Sequence, residues 1–272
     1  MSDTTEAMAP APATVPPKAG AAAPVLPAIS APDLVRLVQG FYFIFWGLLV
    51  TVLVGAQILL LFWLHTFAEM FLAAGVFGVL TGTWRLYQTR LGTPARVPSR
   101  PGPAVASADA GPLTAAVGLW RRHVGRLLTL AVLLTYFCVL FYLWRRAPLG
   151  LYLQLNALLF VAVGIVYVAA LSRTVYALAG LLGRRQLAQE SRLYGIGTLA
   201  LLVGPFLGAV AYLATRTVTR HSNPLVEFHF LITRLNLLIS ILVLLPFSLT
   251  LSLVWSAKDA ALQRLAALAE AS

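Results

Sequence analysis

The stretch from Phe41 to Leu64, FYFIFWGLLVTVLVGAQILLLFWL, contains no charged residue, and its one strongly polar side chain is Gln57. As a helix rising about 1.5 Å per residue it extends roughly 36 Å, enough to cross a hydrocarbon layer about 30 Å thick with some tilt. No water-soluble fold needs such a run, so a lipid bilayer is the first constraint on this chain. The remainder agrees: 60% of the 272 residues are hydrophobic, 11% are charged, and the mean hydropathy is +0.85. That composition specifies an all-α fold, a polytopic helical membrane bundle.

Polar interruptions divide the apolar sequence into six expected transmembrane helices, at about 41–64, 67–87, 127–144, 151–172, 193–214 and 235–255, arranged as three hairpins. The run from Phe41 to Gly82 is too long for one span, and the chain is expected to turn at His65-Thr66. Residues 1–32 are Ala/Pro-rich and read as a disordered tail, because they offer too little apolar surface to offset the entropy of ordering. At its end Ser30, with Asp33 three residues on, has the pattern of a helix cap. Pro, Ala, Gly and Ser dominate 92–112, which reads as a flexible loop, followed by a basic amphipathic approach containing Trp120-Arg121-Arg122-His123. The fourth helix is expected to extend to about Gly183, and Asn223-Pro224 forms a cap and first-position pair ahead of span six. The transmembrane domain thus covers 33–258, and 259–272 forms an Ala/Leu-rich amphipathic tail.

Orientation follows from the basic residues. With six spans, one side holds fifteen Lys and Arg, including Arg36, Arg85, Arg121, Arg173 and Lys258, while the other holds Arg145, Arg146, Arg216, Arg220 and Arg234. The excess places both termini in the cytoplasm. The net charge of +11 and pI near 10.5 therefore describe membrane orientation, and no nucleic-acid partner is expected. The first residues lack a basic segment followed by an apolar one, so no cleaved leader is expected and insertion falls to the first helix. The single cysteine, Cys138, excludes an intrachain disulfide and reads as a packing thiol. Together these features describe a multi-pass protein of the cell membrane, of bacterial inner-membrane type.

Small residues recur every four positions at Gly47/Thr51/Gly55, Ala74/Gly78/Gly82, Ala200/Gly204/Gly208 and Ser248/Ser252/Ser256. Such stripes let helix backbones approach closely in lipid, within one chain or against a second membrane protein or a second copy. Pro205 and Pro246 are the only prolines inside spans and fall near mid-helix, where they either kink the helix or open backbone groups to a transported solute. His65, Glu69, His221, Glu227 and His229 are expected on the non-cytoplasmic side. There His65, Glu69, Glu227 and His229 are the candidates for a polar cluster doing acid–base work, but their spacing matches no metal signature: His65-x-x-x-Glu69 lacks a second histidine, and Glu227 and His229 point to different helix faces.

Gln57, Gln154, Asn156 and Asn236 suit hydrogen bonds between helices better than an ion path. No span carries a central charge, no mid-membrane histidine pair exists for haem, and the glycine-rich phosphate loop and nucleophile-elbow patterns are missing. Arg85, Arg173 and Lys258 follow the even-numbered spans at similar intervals, which is compatible with three hairpins of one plan. The expected function is a non-catalytic component of a membrane assembly, with no cofactor, no metal and the bilayer as its solvent. The alternatives are a facilitative transporter or channel at Pro205/Pro246, or an outer-surface enzyme using His65, Glu69, Glu227 and His229.

Overall fold

The computed structural model of the protein describes residues 29–60, 67–89, 91, 110–146, 151–220 and 236–270. Those residues are all-helical: α1 Ala31–Leu60, α2 Phe67–Tyr87, α3 Ala110–Arg146, α4 Leu151–Leu182, α5 Arg185–Arg220 and α6 Asn236–Glu270. Segments Ala31–Gly55, Ala68–Tyr87, Ala115–Leu143, Leu155–Leu182 and Arg185–Tyr212 are each long and apolar enough to cross a bilayer. The reversal expected at His65, most of the 92–112 stretch and the Asn223-Pro224 pair lie outside the described residues.

Local chemistry explains the helix ends. At the start of α1 the backbone amides of Asp33 and Leu34 both donate to the Ser30 carbonyl at 3.1 Å, and the Ser30 hydroxyl donates to Asp33 Oδ2 at 2.6 Å. The Asp33 amide also donates to Ser30 Oγ at 3.4 Å, so Ser30 caps the helix as the spacing predicts, and the Asp33 carboxylate holds its hydroxyl in place. At the end of α4, Gly183 adopts φ 66°, a backbone conformation that glycine reaches without a side-chain clash. The amide of Arg184 then donates to the Ala179 carbonyl at 3.0 Å and that of Gly183 to Gly180 at 3.3 Å, closing a Schellman turn at the position where the sequence places the helix end. The start of α3 differs from expectation. It begins at Ala110, inside the 92–112 stretch, with Pro112 in its first turn, and runs without a break through the basic segment into the apolar span.

Each helix packs on its neighbours in the chain, and α6 closes the ring against α1 while also touching α4. The tightest seam joins α1 to α2. A Cβ atom on Gly47 would lie 2.5 Å from the Val79 amide nitrogen, one on Gly75 2.6 Å from Thr51 Oγ1, and one on Gly82 2.6 Å from the Gly40 carbonyl oxygen. At Gly47 and Gly82 the obstacle is the facing backbone itself, and behind the Thr51 hydroxyl the Gly47 carbonyl oxygen stands 2.9 Å from the Gly75 position, an approach of backbones that only glycine permits. The seam is only partly the one the four-residue stripes anticipate, because Gly40 and Gly75 belong to it, Ala74 is exposed, and none of the described residues lies within 4 Å of a Cβ on Gly55.

Buried groups join the other helices. The Tyr167 side chain is fully buried, and its hydroxyl meets that of Thr83 at 2.9 Å between α4 and α2. Phe141 and Phe160 stack at 5.3 Å between α3 and α4. Where α6 closes on α1, the Trp255 ring meets Phe45 edge-on at 5.2 Å, and the buried Lys258 ammonium sits 3.0 Å from the Trp255 ring centroid, with Asp259 Oδ1 at 3.3 Å. A desolvated lysine on an aromatic face retains a compensating electrostatic partner.

Candidate functional site

Three places on the bundle are candidates for a functional site: the prolines of α5 and α6, the exposed face of α5, and a cleft where α1 begins and α2 ends.

Pro246 is buried in α6, whereas Pro205 is half-buried in α5. The Pro246 carbonyl accepts the hydroxyl of Thr250 at 2.9 Å, from its own helix, and that of Thr198 at 3.4 Å, from α5. Both threonines are buried, so this carbonyl is a polar tie between the two helices. It also fixes their relative height: Thr198 lies level with Pro246, and Pro205 is seven residues further along α5, about 10 Å away along the axis. The two prolines occur on adjacent helices without sharing one depth. Of the outer polar candidates, Glu69 lies half-buried in the first turn of α2. His65, His221, Glu227 and His229 lie outside the described residues. Among the described residues, no three His, Cys, Asp or Glu side chains gather as metal ligands would.

Of the two uses that a small-residue stripe allows, packing within the chain or against another protein, the face of α5 does not show the first among the described residues. Among the described residues nothing stands within 4 Å of a Cβ on Gly197, Gly204 or Gly208, and Ala200, Gly204 and Gly208 are exposed. Leu193, Ile196 and Leu207 of the same helix are also exposed. The same spacing of small residues that is filled by a neighbouring helix at the α1–α2 seam is open here.

The cleft has a volume of about 1110 Å³ and is lined by the start of α1, the end of α2 and the first half of α3. Asp33 and Arg36 reach it from α1, Trp84 and Tyr87 from α2, and Trp120 and Arg121 from α3. Trp120 is buried, whereas Trp84 and Tyr87 are half exposed and lie side by side with ring centroids 6.0 Å apart. Beside the cleft, Arg85 Nη1 donates to Gln39 Oε1 at 2.9 Å and locks the ends of α1 and α2 together. The basic residues of this region carry an orientation signal in the sequence. Their convergence with three aromatics around one cavity is not legible there, because the lining comes from three segments separated by long stretches of chain.

Comparison of the chain with known protein families, with curated proteins and with solved structures returns no match.

Proposed function

We propose that the chain is a non-catalytic component of a membrane assembly, held in the bilayer by six helices and joined to a transmembrane helix of a partner protein through the outward face of α5. The observation that carries this reading is the contrast between two small-residue surfaces. At the α1–α2 seam, glycines bring two backbones into contact, while the Gly204 stripe on α5 offers the same spacing with none of the described residues packed above it. Without a hydrophobic drive between helices in lipid, close backbone packing over such stripes is the main source of helix association.

The basic excess on one side supports both termini in the cytoplasm, and with it a place in a bacterial-type inner membrane. The reading is tested by the mass of the complex extracted from native membranes in a mild detergent. The wild-type chain should run in a particle larger than its own micelle, and Gly204→Ile should release it at unchanged thermal stability, because nothing within 4 Å crowds the new Cβ. A wild-type chain that is monomeric on extraction, in every mild detergent that keeps it folded, overturns the proposal.

A further inference from the structure

We propose that the cleft between α1, α2 and α3 binds the phosphate of an acidic phospholipid headgroup. The proposal rests on the membrane reading of the apolar helices and is independent of the α5 surface.

The electrostatics of the lining favour an anion. Its one carboxylate, Asp33, is already engaged by the Ser30 hydroxyl, whereas Arg36 and Arg121 bring two positive charges. Arg36 Nη1 stands 3.7 Å from Asp33 Oδ1, beyond hydrogen-bonding reach, and its side chain is 48% exposed. Its planar fork of donors therefore remains geometrically available to a second anion, and such forks match phosphate oxygens.

The apolar part of the lining favours a lipid over a free phosphate. Trp84 and Tyr87 form a half-exposed aromatic wall at the last turns of an apolar span, where such rings settle at the headgroup level. Trp120, Leu86 and Val124 supply a greasy floor that suits a glycerol backbone and the first methylenes of its chains. The volume of about 1110 Å³ exceeds the roughly 300–1,000 Å³ that holds a drug-sized molecule. Basic pockets at the ends of transmembrane helices recognise acidic headgroups by this combination of charge and depth.

The test uses the full chain, purified in a non-ionic detergent and offered phosphatidylglycerol and phosphatidylcholine of matched chains, with retained lipid counted by native mass spectrometry. One phosphatidylglycerol per chain should be retained in preference to phosphatidylcholine, and Arg36→Gln with Arg121→Gln should weaken its retention about thirtyfold. Gly125→Phe is a second variant: Gly125 lines the cleft and none of the described residues lies within 4 Å of its Cβ, so the ring fills the cavity without disturbing their packing. It should abolish retention while circular dichroism and the unfolding midpoint stay at wild-type values, and Arg264→Gln, a charge loss on α6, should change nothing. Equal retention of both lipids, or wild-type retention in both cleft variants, overturns the proposal. Displacement of the lipid by millimolar glycerol phosphate assigns the site to a soluble phosphate and overturns the lipid. A chain that stays dispersed without detergent and retains neither lipid contradicts the membrane reading itself.

Discussion

The hydroxyls of Thr83 and Tyr167 lie 2.9 Å apart in a fully buried contact between α2 and α4, and a third group fixes the direction of the bond. Thr83 Oγ1 donates its single proton to the Val79 carbonyl at 2.8 Å, so Tyr167 donates to Thr83. The two ends of the bond are therefore unequal. Thr83→Val strands a buried phenol without its acceptor and should cost about 1–3 kcal/mol, whereas Tyr167→Phe leaves the threonine donating to Val79 and should cost nearer 1 kcal/mol. Thermal unfolding of the purified variants reads the difference, and a larger loss for Tyr167→Phe would reverse the assigned direction.

A second contrast concerns glycines. Gly47→Leu should lower stability by at least about 1–3 kcal/mol, because its Cβ position is already 2.5 Å from the Val79 amide nitrogen. Gly204→Leu should leave the isolated chain at its wild-type midpoint, since none of the described residues lies within 4 Å of its Cβ. Equal losses at the two positions would show that α5 is packed within the chain.

These glycines show how far the sequence can be read. The period of four identifies Gly47, Thr51, Gly78 and Gly82 correctly, since a helix face repeats at that interval. Which face meets a partner is a tertiary matter, which is why Ala74 and Gly55 belong to the pattern but not to the seam, and why Gly75, one residue out of frame, does. Capping at Ser30 and termination at Gly183 are legible because both depend on a few neighbouring residues. The unbroken α3 is not, because Trp120-Arg121-Arg122-His123 has the composition of a basic amphipathic segment lying on the membrane surface, whereas it continues the span and packs with it against α2 and α4. The Thr83–Tyr167 bond pairs two neutral residues 84 positions apart and has no local signature.

The prolines distinguish a kink from a path. Pro246→Ala restores a backbone donor inside α6 while keeping the carbonyl to which Thr198 and Thr250 donate. Cysteines placed at Val203 and Leu245 in a Cys138→Ser background should react poorly with a water-soluble thiol reagent, before and after Pro205→Ala or Pro246→Ala. Strong labelling that the proline substitutions abolish would establish a water-filled opening at this depth and favour the transport reading.

The proposed topology rests on counting, for six spans, fifteen basic residues on one side against five on the other. In the same background, a cysteine at Ala104 should be protected from an impermeant reagent added to intact cells and labelled after the membrane is opened. Labelling from outside would invert the orientation and with it the cytoplasmic placement of both termini.

The central claim is that the exposed small-residue face of α5 is covered by a partner helix in the native membrane. A cysteine at Gly204 carrying a photoreactive maleimide, again without Cys138, measures this in place, with Tyr152 of α4, 64% exposed, as the reference position. Illumination of native membranes should convert the Gly204 probe into one discrete protein adduct and leave the Tyr152 probe attached to lipid. Lipid adducts alone at both positions would show that α5 faces the bilayer, and would contradict the account.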